Sequence, residues 1–137
     1  MTALDTNILI YACDRSDPGR QQVAIDLVSN AGDGVLLWQV ACKFLAASRK
    51  LKSQGFTVVD AWERLADYLA LFPLILPSAG VLERARVLHR EDGWSFWDAM
   101  IVASCLECGV ARLYSEDLPG RAVRWPLEIV NPFLQPG

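Results

Sequence analysis

The sequence has few of the side chains that most often carry acid–base and thiol chemistry. His89 is the only histidine, and it falls late in an amphipathic segment, where we expect a surface or helix-end residue. A histidine general base is therefore not expected. Of four cysteines, Cys105 and Cys108 form a C-x-x-C inside an apolar segment, with no second pair at zinc-ribbon spacing. We interpret them as small buried thiols that act as hydrophobic residues.

The chain also lacks a long apolar run and an excess of positive charge. No apolar run reaches the roughly 18 residues that a membrane-spanning helix needs, and no signal-peptide pattern opens the chain. We therefore expect a cytosolic protein with no membrane partner. The formal net charge of -3 provides no global field for nucleic acid. An RNA partner would need a local patch, for which Arg15, Arg49, Lys50 and Lys52 are the candidates.

Apolar runs alternate with amphipathic segments along a chain long enough for one domain, residues 1–137, with a buried core. This alternation predicts an α/β fold with a parallel sheet covered on both faces. We predict strands at residues 1–4, 34–37, 73–77, 110–114 and 127–130. We predict helices at residues 18–29, 38–52, 57–71 and 95–108 and after Ser78, and a turn at residues 119–121.

Three aspartates lie where this fold class presents ligands. Asp5 follows the first strand, Asp117 follows the strand at residues 110–114, and Asp98 lies in the first turn of a helix. Loops after parallel strands meet at one edge of a sheet, so these carboxylates are expected to converge. Carboxylates brought together without a cation repel one another, and hard oxygen ligands suit Mg²⁺. The spacing therefore predicts a divalent-metal site.

Simpler interpretations exist for some of these residues. Ser95 and Asp98 fit a capping-box-like helix start, whereas Asp5 is harder to explain as a turn residue. Glu116 fits an ordinary solvated loop residue. Four tryptophans could stack on bases, but beside apolar runs they are more often packing residues. These are Trp38, Trp94, Trp97 and Trp125.

Three stretches carry a resemblance to a known family. Residues 4–9 (LDTNIL), 95–99 (SFWDA) and 114–118 (YSEDL) resemble the motifs of the PIN-domain family in order, spacing and flanking elements. The resemblance spans nearly the whole chain and is closest to the small single-domain ribonuclease toxins of bacterial toxin–antitoxin (VapC-type) operons. It implies a three-layer α/β/α sandwich, an acidic site that holds Mg²⁺ or Mn²⁺, and cleavage of RNA. It also implies a cognate antitoxin and a homodimer.

The resemblance assigns roles to particular residues. Asp5, Asp98 and Asp117 match the family's acidic ligands, which are also its catalytic residues. A bound metal would lower the pKa of a water molecule, orient it for in-line attack on a phosphodiester and neutralise charge on the leaving oxygen. The positions that often support these ligands are matched by Thr6, Asn7, Ser115 and Glu116.

Lys43 departs from the family pattern. A glutamate is expected about one turn into the helix after the second strand, and Lys43 stands at that position. Misalignment does not restore an acid, because none lies between Trp38 and Lys52. An ammonium near Asp5 and Asp98 would pair with them and lower metal affinity. Four interpretations stay open. The protein is a degenerate member that only binds, a weak enzyme that uses three aspartates, or the product of an inactivating substitution. In the fourth, Lys43 simply extends into solvent from the edge of the apolar face of its helix, which Val40, Phe44, Ala47 and Leu51 form.

The resemblance thus favours a metal-dependent endoribonuclease that acts as the toxin of a toxin–antitoxin pair, with impairment by Lys43 as one of the open interpretations. The alternative is a catalytically degenerate PIN-fold module that binds an antitoxin or RNA without cleavage. A metal-dependent phosphohydrolase or phosphoacceptor of another α/β family is less well supported, because the first strand lacks the D-x-D pattern of aspartyl-nucleophile phosphatases.

Overall fold

Five parallel strands form one sheet in a computed structural model that describes residues 1–118 and 126–134. Each strand falls within a predicted one, so the predicted parallel α/β fold is confirmed. The spatial order of the strands is β3-β2-β1-β4-β5, with every neighbouring pair parallel. The strands are β1 (Thr2–Leu4), β2 (Gly34–Leu37), β3 (Leu74–Ile75), β4 (Arg112–Tyr114) and β5 (Glu128–Val130).

In the part of the chain that the structure describes, six α-helices and one 3₁₀ helix connect the first four strands. The segment predicted as a helix at residues 38–52 is α-helical only to Ala47 and continues as the 3₁₀ helix Ser48–Gln54, which ends at Gly55 with a left-handed φ of 79°. The α-helices are α1 (Thr6–Tyr11), α2 (Pro18–Asn30), α3 (Trp38–Ala47), α4 (Val58–Leu71), α5 (Ala79–Arg90) and α6 (Phe96–Cys108).

Helix α1 was not expected from the sequence. Its apolar residues Ile8, Leu9 and Ile10 are all buried, so no polar face marks a helical period. The helix begins because Asp5 occupies the N-cap, where its side chain accepts a hydrogen bond from the Thr6 N–H. Asp5 therefore has a structural role that the interpretation of the first strand missed.

Other helix starts follow the predicted capping rules. Asp17 caps α2, and Pro18 fills the first helical position, where its missing N–H costs nothing. Thr57 and Asp60 form a reciprocal capping box at the start of α4. Ser78 stands at the N-cap of α5 without a side-chain capping bond.

The core packs the helices against the central strand β1. Phe44 of α3 contacts Tyr68 of α4 edge to face, with ring centroids 5.4 Å apart. The Tyr68 hydroxyl donates to the Leu9 carbonyl oxygen at 3.0 Å. Both large side chains are buried, and the tyrosine satisfies its polar group, as a buried phenol requires. The apolar residues after Ser78 predict that Val81, Leu82, Ala85 and Leu88 share the buried side of α5. Leu82 is 60% exposed instead, because α5 is covered only on the side of the other three.

The connection order places a crevice beside β1. The chain runs from β1 outward through β2 and β3, then returns to the other side of β1 for β4 and β5. In open parallel sheets, ligands bind at such a switch point, outside the carboxyl ends of the two strands that flank it. Here these are the ends of β1 and β4.

The predicted turn at residues 119–121 and Trp125 lie outside the described residues. Within residues 1–118 and 126–134, no helix is both long and apolar enough to cross a membrane.

Candidate active site

Asp5 lies at the switch point and is fixed by two short hydrogen bonds. Its Oδ1 accepts from the Thr6 N–H at 2.7 Å, and its Oδ2 accepts from the Ser115 hydroxyl at 2.7 Å. The Asp5 N–H donates to the Tyr114 carbonyl oxygen at 2.9 Å, which joins the end of β1 to the end of β4. Ser115 is buried. The carboxylate is therefore held in one orientation.

Asn7 ties the start of α1 to three consecutive residues after β4. Its Nδ2 donates to the Asp117 Oδ2 at 3.1 Å and to the Ser115 Oγ at 3.4 Å. Its Oδ1 accepts from the Glu116 N–H at 3.3 Å. One amide side chain thus positions the loop that carries Asp117.

A cavity of about 200 Å³ opens at this point. Asp5, Asp98 and Asp117 all line it, so the three predicted acidic residues face one space. Thr6 and Asn7 line it as well. We call it the acidic cavity. The sheet topology thus places together carboxylates that are separated by up to 112 positions in the sequence, from Asp5 to Asp117.

Helix α3 and the following 3₁₀ helix form a wall of opposite charge. Lys43 and Lys50 line the acidic cavity together with Ala47 between them, because residues three and four apart share one helical face. The Lys43 Nζ lies 5.7 Å from the centroid of the Trp97 ring, within the range of a cation–π contact. Lys43 is therefore directed at the cavity rather than only into solvent.

Burial raises the pKa of the Asp5 carboxyl above its ordinary value, because desolvation disfavours the charged form. Hydrogen bonds from Ser115 and from the Thr6 N–H act in the opposite direction, as does the positive charge of Lys43. The charge of Asp117 adds to the rise. The pKa of Asp5 thus depends on charges on both sides of the cavity, those of Lys43 and Asp117.

Glu116, for which a supporting role was predicted, is not among the residues that line the acidic cavity, and its carboxylate is bonded to α1 and α2 instead. Its Oε1 accepts from the Tyr11 hydroxyl at 2.6 Å, and its Oε2 accepts from the Arg20 Nε at 2.7 Å. The Arg20 guanidinium also lies 5.5 Å from the ring centroid of Phe133. Partial burial opposes ionisation of Glu116, but the bonds from Tyr11 and Arg20 prevail and lower its pKa. Glu116 therefore anchors the loop from its outer side.

The oxygen donors of the acidic cavity suit a divalent cation. Carboxylate oxygens in the acidic cavity are the ligands that Mg²⁺ prefers. The Thr6 hydroxyl is buried at the cavity, and within the described ranges it has no hydrogen-bond partner, so it is free to bind water or a ligand. However, residues 1–118 and 126–134 contain no group of three or more acidic, cysteine or histidine side chains placed to hold a metal. The fit is to a hydrated ion on few carboxylates, which is how Mg²⁺ commonly binds.

Gln39 and Trp97 are cavity residues that the sequence interpretation missed. Gln39 Nε2 donates to the Trp97 carbonyl oxygen at 3.2 Å, and both residues line the acidic cavity. The Gln39 Oε1 is buried and has no partner among the described residues; such an atom costs about 1–3 kcal/mol. No signal in one sequence marks a glutamine at a helix start as special.

Trp94 is a packing residue as expected, whereas Trp38 and Trp97 are exposed.

The basic residues lie around a second, larger groove. Arg49, Lys50 and Lys52 line a space of about 880 Å³ between the 3₁₀ helix and α4, whose other lining residues include Phe56 and Trp62. We call it the basic groove. Lys50 lines both it and the acidic cavity. Arg15 is hydrogen-bonded by its N–H to Gln54 Oε1 at the end of the 3₁₀ helix.

Solved structures with the same fold include two from toxin–antitoxin systems. A toxin–antitoxin complex from Klebsiella pneumoniae superposes with a TM-score of 0.62 at 21% identity, over 96% of this chain and 98% of that chain. VapC20 from Mycobacterium tuberculosis, described as a toxin that cleaves the sarcin–ricin loop, superposes with a TM-score of 0.65 at 20% identity, over 85% and 90%. No curated protein matches this chain.

The family model supplies the assignment that these distant structures do not. It is described as the PIN domain and matches residues 2–119, which include all three aspartates and Lys43. Because this match covers most of the chain, the protein belongs to the PIN-domain family.

Proposed function

We propose that this protein is a metal-dependent endoribonuclease that acts in the cytosol as the toxin of a toxin–antitoxin pair, and that Lys43 lowers its activity. The observation that carries the proposal is the acidic cavity, where Asp5, Asp98 and Asp117 come from three separate elements to one switch point. Membership of the PIN-domain family supports a nuclease. The two similar structures, a toxin–antitoxin complex and a toxin that cleaves RNA, support the biological role.

Each residue of the cavity has its own role in phosphodiester hydrolysis. Asp5 is the fixed carboxylate, held by Ser115 and the Thr6 N–H. Asp98 and Asp117 supply negative charge on other parts of the wall. A Mg²⁺ or Mn²⁺ ion held here would supply an acidified water and neutralise charge on the leaving oxygen. Asn7 keeps Asp117 in place.

The opposite wall is suited to the RNA backbone. Lys50 faces the acidic cavity, and Arg49 and Lys52 continue the positive charge into the basic groove. Ammonium and guanidinium groups bind phosphates without reading sequence. We infer that these residues position the RNA strand, with Arg15 as a more distant contact.

Lys43 opposes metal binding by its charge. A cation that entered the acidic cavity would meet the Lys43 ammonium as well as the carboxylates, because all of them line the same space. The charge of Lys43 attracts the Asp5 carboxylate and partly offsets the rise in the pKa of Asp5. An ion bound to Asp5 would compete with this attraction. Metal affinity, and with it the cleavage rate, should be low.

The same observation favours a second function, a PIN-fold module that binds RNA or an antitoxin without cleavage. In that case Lys43 is the permanent counter-ion of the cavity. The two functions differ in one measurable property: the enzyme gains activity when the ammonium is removed, whereas the binding module does not.

An antitoxin partner fits the basic groove. Its floor includes Phe56, Val58 and Trp62, while Arg49 and Lys52 bring positive charge. This combination complements a peptide that has apolar side chains and carboxylates. A peptide bound here would also cover Lys50 and so block the approach of RNA to the acidic cavity.

A homodimer remains a further part of the proposal, and sedimentation analysis of the purified chain would test it.

Manganese-dependent cleavage of a mixed RNA pool tests the function. The chain is compared with Lys43→Glu, Lys43→Gln and Asp98→Asn. The enzyme proposal expects weak cleavage by the native chain, more by Lys43→Glu, and loss on Asp98→Asn. If all four proteins are folded, as circular dichroism would establish, and none cleaves RNA, the binding module replaces the enzyme.

A further inference from the structure

A third space, an apolar groove of about 420 Å³, adjoins the acidic cavity. It lies among the start of α3, strand β3 and helix α6, and its walls include Trp38, Ala46, Ile75, Pro77, Trp97 and Met100. Its volume falls within the range of small-ligand sites. Trp38 is 48% exposed and Trp97 is 58% exposed, so neither ring is buried in the core and both can contact a ligand. We call this space the base groove.

The base groove and the acidic cavity share three lining residues. Gln39, Lys43 and Trp97 line both spaces, so a ligand can extend from one into the other. Lys43 stands at this junction with its ammonium against the Trp97 ring. The junction therefore presents positive charge beside an apolar, aromatic surface. Such a combination complements a nucleotide, in which a charged phosphate is linked through the ribose to a flat aromatic base.

We propose that the base groove binds an unpaired nucleobase of single-stranded RNA, next to the phosphate that enters the acidic cavity. The assignment rests on the proposed function, since it takes RNA as the ligand of the acidic cavity. Trp38 and Trp97 provide the aromatic surface, and Lys43 lies at the junction between the base groove and the acidic cavity. A base inside a duplex is stacked on its neighbours and cannot enter, so the groove selects unpaired RNA.

Gln39 adds a preference among bases. Its Oε1 accepts no hydrogen bond from any described residue, while its Nε2 is held by the Trp97 carbonyl oxygen. A base with an exocyclic amino group satisfies this oxygen once the amide turns toward the groove. Adenine, cytosine and guanine carry such a group, and uracil does not. Uracil can donate to this oxygen only through its ring N3–H, so comparison of the adenosine and uridine probes shows whether the amino group matters.

Binding of short RNA without divalent ions tests the groove separately from cleavage. The probes are a fluorescent adenosine pentanucleotide, the same oligonucleotide with one abasic position at each site in turn, and the uridine pentanucleotide. We expect one abasic position to weaken binding about tenfold. We expect Trp38→Leu and Trp97→Leu to weaken binding of the intact adenosine probe to a similar extent. The matched control is Leu82→Ala, an exposed apolar residue of α5 outside both spaces, which should bind normally.

Two results would overturn the assignment. One is equal affinity for intact and abasic probes. The other is that the tryptophan variants convert a dimer to a monomer while each protomer binds RNA as before, which would make the groove a contact between two copies. Cleavage is scored separately: base-dependent binding without any cleavage contradicts the enzyme alone, and cleavage with base-independent binding contradicts the base groove alone.

Discussion

The Asn7 Nδ2 donates a hydrogen bond to the Asp117 Oδ2 at 3.1 Å, across 110 positions of the sequence. Because the same side chain also contacts Ser115 and accepts from the Glu116 N–H, it fixes the loop after β4 against α1. The position of Asp117 in the acidic cavity therefore depends on a residue that carries no charge.

Replacement of Asn7 by alanine should release this loop. We expect the cleavage rate to fall about tenfold, which corresponds to about 1.4 kcal/mol and lies within the cost of unmaking such bonds. Amide hydrogen exchange at residues 115–117 should become faster. The control is Asn30→Ala, which removes an amide that bonds only locally within α2 to the Asp26 carbonyl oxygen. Unchanged exchange at residues 115–117 in Asn7→Ala would contradict this role.

Glu116 and Asp117 should respond differently to neutralisation, although they are adjacent acids. Glu116→Gln leaves the acidic cavity intact and weakens the bond to Arg20, so we expect retained cleavage and a loss of about 1 kcal/mol in the free energy of unfolding. Asp117→Asn removes a carboxylate from the cavity and should abolish cleavage with little change in stability. Urea denaturation and RNA cleavage distinguish the two. Equal losses of activity would place Glu116 in the site after all.

Removal of the Lys43 ammonium should create measurable metal affinity. Lys43→Gln removes the repulsion, and Lys43→Glu also adds an oxygen ligand, so Mn²⁺ affinity measured by calorimetry should rise in that order. Lys52→Glu is the matched control, because it makes the same charge change outside the acidic cavity. At 100 times its dissociation constant the metal should stabilise Lys43→Glu by about 2.7 kcal/mol, an effect that a chelator removes. Equal affinity in Lys43→Glu and Lys52→Glu would show that only net charge matters.

The capping box of α4 should make stability depend on pH. Hydrogen bonds from the Thr57 N–H and side chain lower the pKa of Asp60 below its ordinary value. A carboxyl with a lowered folded-state pKa stabilises the fold above its unfolded-state pKa, and this contribution disappears as the pH falls through the folded-state value. The difference in melting temperature between the native chain and Asp60→Asn should therefore be present at neutral pH and disappear as the pH falls through the lowered pKa of Asp60. A difference that persists in acid would contradict the capping role.

Gly34, at the start of β2, should not tolerate a side chain. A Cβ there would lie 2.5 Å from the Phe72 Cε1 and 2.9 Å from the Ala31 carbonyl oxygen. Because Phe72 is buried, it has little room to move, and we expect Gly34→Ala to cost about 1–3 kcal/mol in the free energy of unfolding. Gly32→Ala is the control, since nothing lies within 4 Å of its Cβ position. Equal stability of the two variants would contradict the packing described here.

The strands and the longer helices could be predicted because their signals are local. Asp17 followed by Pro18 marks a helix start by geometry alone, and the Thr57–Asp60 pair does the same. The convergence of the aspartates followed from topology, since residues after neighbouring parallel strands share an edge. Helix α1 could not be found in this way, because Thr6–Tyr11 is too short and too uniformly buried to show a period.

The surroundings of the aspartates depend on contacts that no local pattern encodes. The exposure of Trp38 and Trp97 reflects which elements fail to cover them, and the direction of the Glu116 side chain is set by Tyr11 and Arg20, about 100 positions away. Lys43 is the reverse case: its position was found by comparison with a family pattern, and the structure then showed that it lines the acidic cavity.

The pairing of β1 with β4 also fixes when the cavity first exists during synthesis. Asp5 leaves the ribosome more than a hundred residues before Ser115, which donates a hydrogen bond to it, and Asp117, with which it lines the cavity. A nascent chain that has folded β1, β2 and β3 holds only an isolated carboxylate at the sheet edge. For a protein whose proposed activity is RNA cleavage, assembly of the site is thereby deferred until β4 and the loop that follows it have been synthesised.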